Sequence, residues 1–281
     1  MPVFERDGLD FHYLDKGEPS GRPFVFQHGL GGDVSQPAGV FSPPLGIRLL
    51  SLDCCGHGGT YPLGDAQKLS FSSFADDVVA LMDHLGLERA VVGGISMGAG
   101  VALNLALRYP RRVAGLVLSR PAWLDSPMPG NLKAYPVIAR LLREHGAEQG
   151  RELFEGTEEY AELERAAPRA GRSLASSQFG RSRAREFAAV LESLAGDAPG
   201  RDRAQWREVR APALVLASRL DPTHPHSYAE ILARTLPSAQ FAELTPKIED
   251  EGRHAADAQV AIAGFLGRVF SPAAPKEATR R

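Results

Sequence analysis

Residues Val91 to Gly100 read VVGGISMGAG. An apolar run precedes Ser96, small residues follow it, and Gly94 and Gly98 flank it at two-residue spacing. Glycine weakens strands and helices alike, so its concentration around one hydroxyl needs a reason. The surrounding pattern supplies one. RAVVGG predicts a buried strand, and MGAGVALNLALRYP predicts a helix stopped by Pro110. Ser96 then occupies a sharp strand-to-helix turn, where side chains at the flanking positions would collide with strand and helix. The hydroxyl projects from the carboxyl end of a sheet, beside the positive end of the next helix.

Outward from this turn, short apolar runs alternate with helical patterns. LDFHYLDKG, PFVFQHG, IRLLSLD, VAGLVLS, APALVLASRLD and AQFAELTP read as strands. SFADDVVALMDHLGL has helical apolar spacing, with Ser73 and Asp76 resembling a capping box. Strand-helix alternation with strands apolar on both faces predicts an α/β fold, a mainly parallel sheet covered by helices. The alternation breaks over residues 121–204, which are rich in Ala, Arg and Glu and lack a convincing strand. This stretch reads as a helical insertion into a core formed by residues 1–120 and 205–281. The end, SPAAPKEATRR, reads as frayed.

Composition narrows the function classes. The 281 residues are 43% hydrophobic, as expected for a globular domain with a sizeable core. A formal net charge of -2 favours neither nucleic acid nor an anionic membrane as partner. No apolar run approaches the roughly 20 residues of a membrane helix, and the N-terminus lacks a signal-peptide apolar region. The adjacent Cys54 and Cys55 argue against a disulfide framework and, without further ligands, against a metal site. These features point to a cytoplasmic enzyme or receptor acting on a small molecule.

A serine nucleophile needs a base, and the base an orienting acid. On such a sheet the chain order is serine, acid, histidine. Asp221 follows a strand directly and precedes a proline, which puts it at the same sheet edge as Ser96. Asp250 reads instead as a solvated loop charge. Among the histidines after Ser96, His145 falls in the insertion, and His224 and His226 stand close in sequence to Asp221. His254, on a loop before the terminal helix, is the expected base. The turn QHGLGG (Gln27 to Gly32) and the residue after the nucleophile offer the backbone N–H groups of Leu30 and Met97 as oxyanion donors. His28 and His57 read as structural.

His28-Gly29 with Leu30, the loop from Asp53 to Thr60, Gly94 to Gly98, Asp221 and His254 together resemble the α/β-hydrolase fold superfamily, in its group with a helical cap. The resemblance covers about residues 3–270. It implies an eight-stranded sheet, a Ser96–Asp221–His254 triad, an oxyanion hole at Leu30 and Met97, a pocket between core and cap, and no cofactor or metal. One loop departs from the pattern: Cys55 stands where many members carry arginine. The implied activity is esterase- or enol-lactonase-like, with carbon–carbon bond hydrolysis or cofactor-free perhydrolysis as alternatives on the same triad. A non-catalytic receptor is the third possibility.

Overall fold

The computed structural model describes residues 1–271; the tail from Pro272, read above as frayed, lies outside the described residues. Strands β1 (Val3–Arg6) and β2 (Leu9–Gly17) form an antiparallel pair. β3 (Arg22–Gln27), β4 (Ile47–Leu52), β5 (Ala90–Ile95), β6 (Val113–Ser119), β7 (Ala213–Ser218) and β8 (Ala239–Leu244) follow. One eight-stranded sheet runs β1-β2-β4-β3-β5-β6-β7-β8. β2 is antiparallel to β4, and every pair from β4 to β8 is parallel.

Helices α1 (Ser35–Val40), α2 (Phe71–His84) and α3 (Met97–Arg108) connect the first half. Between β6 and β7 lie α4 (Ala134–Glu155), α5 (Glu158–Ala166), α6 (Ala170–Phe179), α7 (Ala184–Ala195) and α8 (Arg203–Trp206). α9 (His226–Thr235) and α10 (Glu251–Phe270) complete the described chain.

Period-two alternation on buried strands builds a core on each face of the sheet. Val92, Leu116, Leu118 and Val215 pack with Phe74, Val78 and Leu81 of α2 and Val101 and Leu105 of α3. Val91, Val117, Leu214 and Leu216 turn the other way, onto Ile262, Phe265 and Leu266 of α10. The cap of α2 differs from the expected one. Ser70, not Ser73, is the N-cap, and its side chain accepts from the Ser73 N–H. The helix begins one turn earlier because Phe71 is itself a core residue, fully buried.

Strand order sets the position of the site. From β3 the chain crosses to β4 on one side, then returns through α2 to β5 on the other. The connections therefore diverge at the carboxyl ends of β3 and β5, where a crevice opens in sheets of this type. The loop beginning at His28 and the turn at Ser96 both emerge there.

Candidate active site

Ser96 has φ 56° and ψ -111°, a strained conformation for an L-residue. The flanking glycines are explained by backbone, not by flexibility. A Cβ on Gly94 would stand 2.2 Å from the Gly98 carbonyl carbon, and one on Gly98 would stand 2.4 Å from the Gln27 oxygen. The Ser96 N–H donates to the Ser119 carbonyl at 2.9 Å, fastening the turn to β6.

The side chain against Ser96 is His224. Its Nε2 lies 2.8 Å from the serine Oγ, and its Nδ1 lies 2.9 Å from each Asp221 carboxylate oxygen. Closeness in sequence to Asp221, which counted against His224, does not keep it from the site. Asp221-Pro222-Thr223-His224 is a tight turn, closed by the His224 N–H on the Asp221 carbonyl at 3.1 Å. Proline at its second position suits it. The turn folds the imidazole back over the carboxylate.

His254, expected to be the base, is buried within electrostatic reach of Asp221 and Arg120 but makes a different hydrogen bond. It hydrogen-bonds neither Ser96 nor Asp221 among the described residues, and its Nδ1 pairs with the Thr245 carbonyl at 2.8 Å. The physical reason is the start of α10. Asp250 caps that helix by accepting from the Arg253 N–H. Residue 254 is therefore already helical and turned toward Thr245, instead of lying on a free loop. Asp250 itself is a helix cap more than a solvated charge.

Asp221 is held from the other side by Arg120. The guanidinium donates from Nε at 2.9 Å and from Nη2 at 2.7 Å, both to Oδ2. Burial raises the Asp221 pKa, but His224 and Arg120 outweigh it, and the carboxyl is held well below the usual carboxylate range. Burial also pushes the His224 imidazole down; Arg120 adds to this while Asp221 opposes it. A neutral imidazole with its proton on Nδ1, donated to Asp221, presents the Nε2 lone pair to the serine hydroxyl. Arg120 Nη2 also lies 3.0 Å from Nδ1. With Nδ1 protonated, that contact sets a cation beside the ring.

The turn carrying Leu30 is closed by the Gly32 N–H on the Gly29 carbonyl at 2.9 Å. It lies against Ser96: a Cβ on Gly29 would be 3.4 Å from the Ser96 Cβ. Met97 is the first residue of α3, so its N–H has no intrahelical acceptor. His28 ties loops together. Its Nδ1 pairs with the Gly29 carbonyl at 2.9 Å, and its Nε2 accepts from the Cys54 N–H at 3.1 Å. Asp53 accepts from Val34 and Gly59 N–H groups, both at 2.8 Å. Cys54 and Cys55 are buried, and burial pushes the Cys55 thiol up to about 11.

A cavity of about 740 Å³ opens over Ser96. Leu30, Arg120, Asp221 and His224 line it from the sheet side, and Tyr135, Leu174 and Arg181 from the helical segment. His224, Arg120 and Arg181 were not identified from the sequence. The Asp-Pro-Thr-His turn was the available signal for His224; no spacing marks the other two.

A family model described as alpha/beta hydrolase fold matches residues 22–256. The chain belongs to the alpha/beta hydrolase fold family. Within it, this hydrolase-fold chain is 33% identical over 110 residues to a bifunctional esterase/perhydrolase of Acinetobacter calcoaceticus, a stretch covering 38% of this chain and 39% of that protein. It is 32% identical over 123 residues to 2-hydroxymuconate semialdehyde hydrolase of Pseudomonas putida, covering 42% of each. The matched stretch spans less than half the length of these curated relatives. A thermophilic esterase from Thermogutta terrifontis, in a malate-bound structure, superposes with a TM-score of 0.71 at 23% identity, covering 96% of this chain and 97% of that one. That likeness is one of fold. Among the described residues, no helix of this alpha/beta hydrolase is long and apolar enough to cross a membrane.

Proposed function

We propose that this alpha/beta hydrolase is a serine hydrolase that cleaves a small carboxylic ester or lactone, with His224 as its base. The observation that carries the reading is the 2.8 Å contact between His224 Nε2 and Ser96 Oγ, continued through Nδ1 to Asp221. Ser96 Oγ attacks the carbonyl carbon while Nε2 takes its proton. Asp221 fixes the tautomer and stabilises the imidazolium. The oxyanion that forms is met by the N–H groups of Leu30 and Met97. The imidazolium then protonates the leaving oxygen, leaving an acyl group on Ser96. Water, deprotonated by the same Nε2, attacks that ester; the acyl–Oγ bond breaks, the imidazolium returns the proton to Ser96, and the acid product leaves. No step calls for a cofactor. The segment from residue 121 to 204 serves as a cap that shapes the cavity.

The likeness to an esterase/perhydrolase supports ester cleavage, whereas the hydroxymuconate semialdehyde hydrolase keeps carbon–carbon cleavage as the second reading. Ester cleavage needs only the groups named. A carbon leaving group must in addition be stabilised as a carbanion or protonated before it departs. The test is kcat/KM on phenyl acetate, a simple γ-lactone and a dienoic ketone acid, with Ser96→Ala as control. Ester or lactone turnover abolished by Ser96→Ala supports the proposal. A preference for the ketone acid beyond about a hundredfold, roughly 2.7 kcal/mol, would replace it with the second reading.

A further inference from the structure

We propose that Arg181 is an anion-binding subsite of the cavity and that the substrate carries a carboxylate in addition to the bond that is cleaved. Arg181 stands in the link between α6 and α7 and lines the same cavity as Ser96. Its hydrogen bonds go only to backbone carbonyls. Nε donates to Gln178 at 3.3 Å, and Nη2 donates to Gly31 at 3.2 Å and to Ser177 at 3.1 Å. Nη1 has no partner among the described residues. The guanidinium stacks on Phe187, with its carbon 3.7 Å from the ring centre.

The other basic groups of the cavity are accounted for differently. Arg120 is paired with Asp221, Arg219 with Glu243 and Lys247 with Glu251. Arg169 also lines the cavity but is exposed. Arg181 is only partly exposed and has no carboxylate within ion-pair distance among the described residues. A desolvated cation without a counter-ion is unfavourable, and burial lowers the Arg181 pKa to about 10. An incoming carboxylate would remove that penalty through charge-assisted hydrogen bonds from the unpartnered Nη1.

The placement suits a substrate contact. Arg181 rests on Gly31, next in sequence to the oxyanion donor Leu30. Gly31 has φ +79°, and a Cβ there would meet Arg181 Nη2 at 2.0 Å, so this approach requires glycine. A carboxylate seated on Nη1 would anchor the substrate beside the oxyanion turn. A brace between the helical segment and that turn would be satisfied by the Gly31 bond alone and would not discriminate between charged and neutral substrates.

The inference rests on the serine-hydrolase reading, and the experiment separates the two. The mono-p-nitrophenyl esters of succinic, glutaric and adipic acids are compared with neutral p-nitrophenyl esters of matched length. At least one half-ester is expected to exceed its neutral counterpart tenfold or more in kcat/KM, mainly through KM. Arg181→Gln should bring that ratio to about one, and Arg181→Lys should leave an intermediate ratio. Because it is a ratio, the readout is insensitive to the fraction of folded enzyme. Calorimetric titration of Ser96→Ala protein with the three free diacids gives a second measure. At least one diacid should bind tenfold or more tightly than it binds the Ser96→Ala/Arg181→Gln protein. No charged-over-neutral preference, or a preference and diacid affinity unchanged by Arg181→Gln, would overturn the subsite. Ester turnover that survives Ser96→Ala would instead overturn the serine-hydrolase reading, with the diacid titration still deciding the subsite.

Discussion

Arg120 offers a test of how the acid and base are tuned. Replacing it with glutamine removes the cation whose Nη2 lies 3.0 Å from His224 Nδ1, along with two hydrogen bonds to Asp221 Oδ2. Charges roughly 4 Å apart interact by about 4 kcal/mol at an effective dielectric of 20 and about 1 kcal/mol in water. The Arg120 and His224 side chains are 18% and 12% exposed, so the interaction falls between those limits. Removing the cation should therefore raise the His224 pKa. The sign follows from charge: Arg120 opposes the imidazolium, so without it the base protonates at higher pH. The acid limb of the kcat/KM profile should therefore lie below the ordinary histidine value of 6.5 in the wild type and move up in Arg120→Gln. On the plateau, Asp221 is less firmly oriented, and losing hydrogen bonds to a charged group should lower kcat/KM about 10- to 100-fold. The assay is p-nitrophenyl acetate hydrolysis from pH 4.5 to 9. An acid limb that stays fixed or moves down would refute the tuning role.

Three further outcomes are expected. Gly94→Ala puts a Cβ 2.2 Å from Gly98 backbone that cannot yield, so thermal unfolding should show a loss of about 1–3 kcal/mol. Displacement of Ser96 should also cut turnover at least about a hundredfold. Asp77 is held up to about 7 by burial, against 3.8 for an ordinary aspartate. Its stability contribution is full below 3.8 and is lost as pH rises through 7, by about 4 kcal/mol at most. The unfolding free energy of Asp77→Asn relative to wild type should therefore rise between pH 4 and 8, and a flat difference would contradict that. Cys55→Ala should stay within roughly tenfold of wild-type turnover, because the buried neutral thiol faces the Leu63 carbonyl at 2.8 Å and touches no catalytic group.

The parts of the site legible in the sequence are those where backbone meets backbone. Gly94 and Gly98 mark the turn at Ser96 because nothing larger fits between β5, α3 and the residues ending β3. Buried strands announce themselves as continuous apolar runs, so the sheet was also readable; β1 escaped because only Phe4 of its four residues is buried. The histidine that meets Ser96 was hidden for a different reason. Sequence distance between Asp221 and His224 says nothing of the turn that folds one over the other, and a histidine after β8 looked available until Asp250 drew it into α10. Arg120 and Arg181 meet the site only through tertiary contacts, and a chain with 32 lysines and arginines gives no local sign of which of them face the cavity.

The most direct test of the account is the turnover of His224→Ala beside that of His254→Ala, measured on p-nitrophenyl acetate with fold verified by circular dichroism. With His224 as the base, its removal should lower kcat by about four orders of magnitude or more, as for loss of a triad member. His254→Ala, which gives up a contact with the Thr245 carbonyl, should retain turnover within about tenfold. A crippled His254→Ala beside a near-normal His224→Ala would contradict the account and return the base to His254.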